Sequence, residues 1–252
     1  MKPFLFLGTR AEDLAADGEV EAVLRFSGLA PTDVRRVRLE RETLTEAVGA
    51  PAEELDLDAF SGIILGGGPF NVSDPEDTKS PAQRRAEAEL RILAERVVAA
   101  DVPFLGCCYG IGTLGRLLGG VVDRTYGEPI GALPVTLTDA GRADPLLGDL
   151  PATFDAFLGH KEAVRELPRG AVLLASSATC PVQAFRLGTR VYATQFHPEL
   201  DADQLVTRIR VYEHHGYFEA GGADVLIDAA RAASVTEPPR ILRRFVELFA
   251  RE

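Results

Sequence analysis

Short, nearly unbroken apolar runs alternate along this chain with stretches whose apolar residues recur at helical spacing. Pro3 to Gly8, Gly62 to Leu65 and Val102 to Leu105 have the pattern of strands buried on both faces of a parallel sheet. Val34 to Leu39, interrupted by Arg35 and Arg36, reads as a more exposed strand, followed by an acidic, alanine-rich connection. Val20 to Phe26 reads as a helix. Pro81 opens a strongly charged helix to Ala100, with Glu87, Leu90, Leu93 and Val97 marking its faces. Ile111 to Leu118 again has helical spacing. Strands alternating with helices predict a mostly parallel sheet covered on both faces.

The middle third changes character. Val121-Val122, Leu133 to Leu137, Phe154 to Leu158, Val172 to Ala175, Val182 to Leu187 and Arg190 to Gln195 read as short strands between Gly, Pro and Asp turns. Gly188-Thr189 between the last two predicts a tight hairpin. After Glu199 the pattern is helical, over Ala202 to His214, Gly222 to Ala233 and Pro239 to Ala250. The expected organisation is an α/β domain over residues 1–200, with a C-terminal helical extension over 201–252 packed on it.

Candidate chemistry sits where strands end. Gly106-Cys107-Cys108-Tyr109-Gly110 follows an apolar strand and precedes a helix, the Gly-x-Cys-x-Gly form of a nucleophile elbow centred on Cys108. Gly106 and Gly110 leave room for strand and helix to approach, and the helix N-terminus favours thiolate over thiol. Val191 to Gln195 is a strand that delivers His197, and Pro198 stops it so that Glu199 can turn back to the imidazole. A cysteine nucleophile needs a base, and the base needs a group to fix its tautomer. Ile63-Ile64-Leu65 runs into Gly66-Gly67-Gly68-Pro69, a turn able to aim a backbone N–H at a developing oxyanion.

These three segments, in this order, resemble the class I, or triad, glutamine amidotransferases, most closely the amidotransferase domain of GMP synthetase and its stand-alone relatives. The resemblance spans residues 1–200, and Gln195-Phe196-His197-Pro198-Glu199 is its most specific part. It implies a flavodoxin-like sheet with added antiparallel strands that carry the histidine back to the cysteine. It implies Cys108 as nucleophile, His197 as base, Glu199 as its orienting carboxylate, and the N–H groups of Gly68 and Tyr109 as oxyanion donors. Gly67, Phe70, Gly112 and His160 fall where the substrate amino acid would sit. His160 either lines that pocket or simply ends a strand.

Two positions depart from the family pattern. Many members carry a substrate-holding glutamine four residues after the nucleophile, where this chain has Gly112. Phe70 stands where a small or acidic residue is frequent. The expected activity is therefore hydrolysis of glutamine to glutamate and ammonia, with the ammonia passed to a separate synthetase subunit. A γ-glutamyl peptide hydrolase using the same triad is the alternative. A regulatory or ligand-binding subunit is a further one, against which the intact triad argues. Because three neighbouring glycines have high backbone freedom, the turn at Gly66 to Pro69 is expected to rest with its N–H misdirected until a partner or a larger substrate orders it.

Composition narrows the partners. The 252 residues carry a net charge of −11, spread along the chain, which disfavours nucleic-acid backbones and anionic membranes. Met1-Lys2-Pro3 runs straight into a strand and no apolar run is long enough to span a bilayer, so a reducing cytoplasm is expected. Cys107 reads as a core residue on the opposite side of the strand from Cys108, and Cys180 as a turn residue without a role. Neither Cys-x-x-Cys nor His-x-x-x-His spacing occurs, and no Lys-Ser/Thr directly follows the glycine turn. Metal, nucleotide and other cofactors are thus not expected. His214 and His215, before Gly216, read as solvent-facing or structural residues at a helix C-terminus.

Overall fold

The computed structural model describes residues 1–213 and 221–252. His214 and His215, with the last residue of the helix expected to reach His214, lie outside them. In chain order the elements are β1 (Phe4–Gly8), α1 (Asp13–Ser27), β2 (Val34–Arg38), α2 (Leu44–Val48), β3 (Gly62–Leu65), α3 (Pro81–Ala100), β4 (Phe104–Cys107) and α4 (Tyr109–Gly115). There follow β5 (Val121–Asp123), β6 (Glu128–Leu137), α5 (Asp139–Arg142), β7 (Thr153–His160), β8 (Ala163–Glu166), β9 (Val172–Ser176), β10 (Ala184–Leu187) and β11 (Val191–Thr194). The C-terminal segment adds α6 (Ala202–Val211), α7 (Ala223–Ala232) and α8 (Pro239–Phe249).

Among the described residues, nine strands form one sheet in the order β2-β1-β3-β4-β11-β10-β9-β6-β7. From β2 to β11 neighbouring strands are parallel, and from β11 to β7 they are antiparallel. The mixed α/β sheet is thus the one the alternating pattern predicts, with the middle third supplying the antiparallel half. Gly188, at φ 59°, makes the β10–β11 hairpin.

Period-two alternation divides the core. Leu5, Leu7, Ile63, Leu65 and Phe104 face α3 and α4, whereas Phe4, Phe6, Ile64, Leu105 and Cys107 face α1 and α8. The last helix belongs to this second layer: Ile241, Leu242 and Phe245 are fully buried, and the Phe245 ring packs tilted against Phe4 with centroids 6.1 Å apart. Phe245→Ala is expected to cost about 3–5 kcal/mol, the range for deleting a buried aromatic ring. Urea denaturation followed by circular dichroism measures it. Among the described residues no helix is long and apolar enough to cross a membrane.

Several bounds differ from the sequence reading, each for a physical reason. α1 starts at Asp13 rather than near Val20, because its first half buries Ala15, Ala16, Gly18 and Glu19 instead of large apolar residues. β6 starts at Glu128, well before Leu133, in a half-exposed stretch that pairs with β7 as far as His160. β8, unexpected from its sequence, pairs with β5 in a separate two-stranded sheet.

Candidate active site

The three strand ends singled out by their residues lie side by side. β3, β4 and β11 are adjacent and parallel, with Leu65 opposite Gly106 and Cys107 opposite Thr194. Their carboxyl ends therefore release Gly66, Cys108 and Gln195 at one edge of the sheet, where ligands bind in open α/β folds. Cys108 has φ 51° and ψ −88°, a conformation that a residue with a side chain adopts only when its surroundings hold it. The restraint is visible: the Cys108 N–H donates to the Thr194 carbonyl at 2.7 Å. Gly106 and Gly110 are in such close approach that a Cβ on Gly106 would lie 2.9 Å from the Gly110 backbone. Tyr109 opens α4, so its N–H is among those without an intrahelical acceptor.

Cys108 is partly exposed, and Cys107 is buried. Burial pushes the Cys107 thiol well above its ordinary range, with the charges of Glu199 and Glu19 acting in the same direction. Next to Cys108, His197 is held by its N–H, which donates to the Phe157 carbonyl at 3.1 Å. Its Nδ1 lies 2.7 Å from Glu199 Oε1. Burial opposes an imidazolium here, but the Glu199 carboxylate and the Cys108 sulfur outweigh it and raise the His197 pKa to about 9. Glu199 is buried too. Burial works against its charge, yet His197 and Arg208 hold it well below the usual carboxylate range. Gln195, whose side chain the sequence reading gave no task, places Nε2 4.0 Å from the Cys108 sulfur.

The glycine turn differs from the expectation of a loose segment. Gly66 N–H donates to Leu7 O at 2.9 Å, Gly67 N–H to Glu19 Oε1 at 3.2 Å, and Thr9 Oγ1 to Gly67 O at 3.2 Å. None of the three glycines has positive φ. They are needed for close approach instead. A Cβ on Gly67 would fall 2.5 Å from His197 Cε1, and one on Gly68 would overlap Thr9 Oγ1. Gly68, Cys108 and His197 share one cavity with Arg10, Ile130, Leu158 and residues of α6.

The expected pocket residues are arranged unevenly. Phe70 packs edge-on against Tyr109, with ring centroids 5.9 Å apart. Gly112 faces Glu162, whose Oε1 would lie 3.1 Å from a Cβ placed there. The Glu162 carboxylate accepts from the N–H groups of Val72 and Ser73 at 2.8 Å each, pinning the segment after the glycine turn. His160 is buried at the end of β7, its Nδ1 2.9 Å from the Glu162 carbonyl and its Nε2 2.8 Å from Glu128 Oε2. Its neighbour Gly159 lines the cavity with Cys108. Glu128, His160 and Cys180 also bring possible metal-binding atoms within 4.8 Å of one another. Their partners, however, close a hydrogen-bond network: Ser177 and Gln183 donate to Glu128, and Cys180 Sγ, its pKa pushed up to about 11 by burial, donates to Val182 O.

The family model described as "Glutamine amidotransferase class-I" matches residues 33–209. The chain belongs to this family. Relatives include the glutamine-hydrolysing GMP synthases of Thermosipho africanus, 32% identical over 66% of this chain and 30% of that protein, and of Thermosipho melanesiensis, 30% identical over 70% and 31%. The chain thus spans less than a third of the length of these relatives. Its fold matches the crystal structure of a glutamine amidotransferase from Thermotoga maritima with a TM-score of 0.73, at 21% identity over 99% of this chain and 98% of that one. A glutamine amidotransferase from Methylobacillus flagellatus gives 0.69, at 20% identity over 100% and 97%. Both fold matches therefore extend past residue 209, where the family match ends.

Proposed function

We propose that this class I glutamine amidotransferase hydrolyses a γ-carboxamide, releasing glutamate and ammonia from glutamine through a Cys108–His197–Glu199 triad. The observation that carries the reading is the His197–Glu199 contact at 2.7 Å, poised beside a cysteine held in a strained elbow. In this reading the Cys108 thiolate attacks the amide carbon, and the C=O π electrons move to oxygen. The N–H groups of Gly68 and Tyr109 hold that oxyanion. Collapse breaks the C–N bond as the His197 imidazolium gives its proton to the leaving nitrogen, so ammonia departs and a γ-glutamyl thioester remains. His197, neutral again, takes a proton from water, whose oxygen attacks the thioester. Glutamate leaves, and Cys108 returns as thiolate beside the imidazolium. Glu199 keeps the Nδ1 proton of His197 directed toward itself throughout.

The raised His197 pKa gives a pH prediction. Below about 9 the imidazolium carries the proton that ammonia needs, and above it that proton is lost. kcat/KM for glutamine is therefore expected to fall on the alkaline side with an apparent pKa near 9, measured by glutamate release across pH 6 to 10. A limb near the ordinary histidine value of about 6.5 would mean that Glu199 is not ionised against the ring.

The relatives named as glutamine-hydrolysing GMP synthases suggest a synthetase as the ammonia acceptor, and we propose that ammonia released here passes to such an acceptor. One observation favours a γ-glutamyl peptide as substrate instead: Gly112 offers no side chain, and the carboxylate of Glu162 stands in that space already committed to Val72 and Ser73. The test is a comparison of glutamate release from glutamine and from γ-glutamyl dipeptides by the purified chain. A strong peptide preference selects the peptidase, and efficient turnover of glutamine alone selects the amidotransferase.

A further inference from the structure

Buried charge outside the triad gathers at one place. Glu19, on α1, is almost inaccessible, and its Oε1 accepts from three donors: Gly67 N–H at 3.2 Å, Arg10 Nε at 3.1 Å and Arg208 Nη2 at 3.3 Å. The same Arg208 Nη2 reaches Glu199 Oε1 at 3.0 Å. Arg208 Nη1 lies 3.2 Å from His197 Nδ1, a contact rather than a hydrogen bond because that nitrogen directs its proton to Glu199. Arg10 Nη1 donates to the Tyr212 hydroxyl at 3.3 Å. Arg10, Glu19, Glu199 and Arg208 are all buried.

Desolvating four charges is a poor way to fill space, since well-packed apolar residues of the same volume usually serve stability as well or better. The placement of these four suggests another use. Glu19 grips the turn that leaves β3, and Arg208 grips the carboxylate that follows β11. One carboxylate and one guanidinium thereby fix the oxyanion turn against the base. Arg10 and Glu19 precede residue 33, where the family match begins, and Arg208 comes from α6 at its far limit.

We propose that Glu19 and Arg208 are positioning residues for the hydrolysis, joining the Gly66–Gly68 turn to the His197–Glu199 pair. The proposal rests on the triad reading above. It makes α6 part of the catalytic apparatus, because Leu205, Arg208 and Ile209 form a wall of the cavity that holds Cys108. The groups facing this cluster are Arg10 before α1, Glu12 and Glu19 at and within α1, Cys107 and Cys108 at the elbow, His197 and Glu199 after β11, and Arg208 and Tyr212 at α6. Relative to wild type, Glu19→Gln adds one net positive charge beside Cys108 and His197, and Arg208→Met one net negative charge.

Opposite consequences follow for titration. The alkaline limb of the pH profile is expected to move to lower pH in Glu19→Gln and to higher pH in Arg208→Met. Loss of the carboxylate grip in Glu19→Ala, and of the bridge in Arg208→Met, is expected to lower kcat about 10–100-fold, with KM changed less than about threefold. Arg208→Lys keeps the charge, but its shorter side chain ends short of the position of Nη2, so it should keep the wild-type pH profile and recover only part of the rate.

The experiment measures kcat, KM and pH profiles for glutamate release in these variants, with Cys108→Ala assayed in parallel. The rate of Cys108 alkylation by iodoacetamide against pH is a second readout that needs no turnover. It applies to the near-isosteric Glu19→Gln and the charge-conserving Arg208→Lys even where Arg208→Met does not fold. Full hydrolysis by Cys108→Ala would overturn the triad reading itself. Hydrolysis that requires Cys108 but stays within twofold of wild type in Glu19→Ala and Arg208→Met would overturn the positioning role alone. So would an alkylation profile in Glu19→Gln that coincides with wild type. Opposed shifts of the two pH profiles, with the loss confined to kcat, support it.

Discussion

Cys108→Ala is expected to lower kcat by about 10⁵–10⁶-fold, leaving the residual rate that binding and oxyanion contacts supply without a nucleophile. Cys107→Ala is expected to stay within about threefold of wild type. The two thiols are adjacent in sequence and opposite in surroundings. Cys107 completes β4 and faces the layer formed with α1 and α8, where burial keeps it protonated. Cys108 leaves the strand at φ 51° and lines the cavity that also holds His197 and Gly68. Steady-state glutamate release by the two variants, compared at equal folded concentration, checks the prediction. A Cys107 variant as damaged as the Cys108 variant would show that the elbow is registered one residue earlier.

His197→Ala is expected to cost about as much as loss of the cysteine, and Glu199→Gln about 10³–10⁴-fold. The difference follows from the tasks. In the proposed mechanism His197 moves the protons, whereas Glu199 orients the ring through the 2.7 Å contact at Nδ1 and favours its charged form. Glutamine at 199 keeps the shape but presents an amide, and it leaves Arg208 facing a neutral group at one end. If the residues act as a unit, as proposed, the Cys108→Ala/His197→Ala double variant should be no slower than either single one. Rates that multiplied in the double variant would indicate two independent catalytic routes.

What the sequence made legible was whatever the chain places locally. Cys108 and His197 sit at the ends of apolar strands, and Glu199 follows the proline after His197. Their placement is therefore set by short segments whose local conformation is readable. The parallel half of the sheet was legible for the same reason, since β1, β3 and β4 are continuous apolar runs. Contacts assembled only by tertiary structure were not. Glu19 and Arg208 are far apart in sequence and converge on Gly67 and Glu199 through helices from opposite ends of the chain. A signal existed: each is a charged residue in phase with the buried face of its helix, Glu19 among Ala15, Ala16, Ala22 and Val23, and Arg208 between Leu205 and Ile209. Glu128 escaped notice because β6 is too exposed to show a clean alternation, and Glu162 because it lies in the short connection between β7 and β8. The glycine turn was misread in one respect. Its three glycines read as freedom, yet Thr9, Glu19 and His197 press so closely on them that the turn is clasped.

The most direct test is covalent labelling with a diazoketone analogue of glutamine, followed by peptide mapping by mass spectrometry. The account predicts one equivalent of label on Cys108, slowed by the competing γ-glutamyl substrate and abolished in Cys108→Ala. Label on Cys107 or Cys180, or labelling of Cys108 that no γ-glutamyl compound slows, would contradict it.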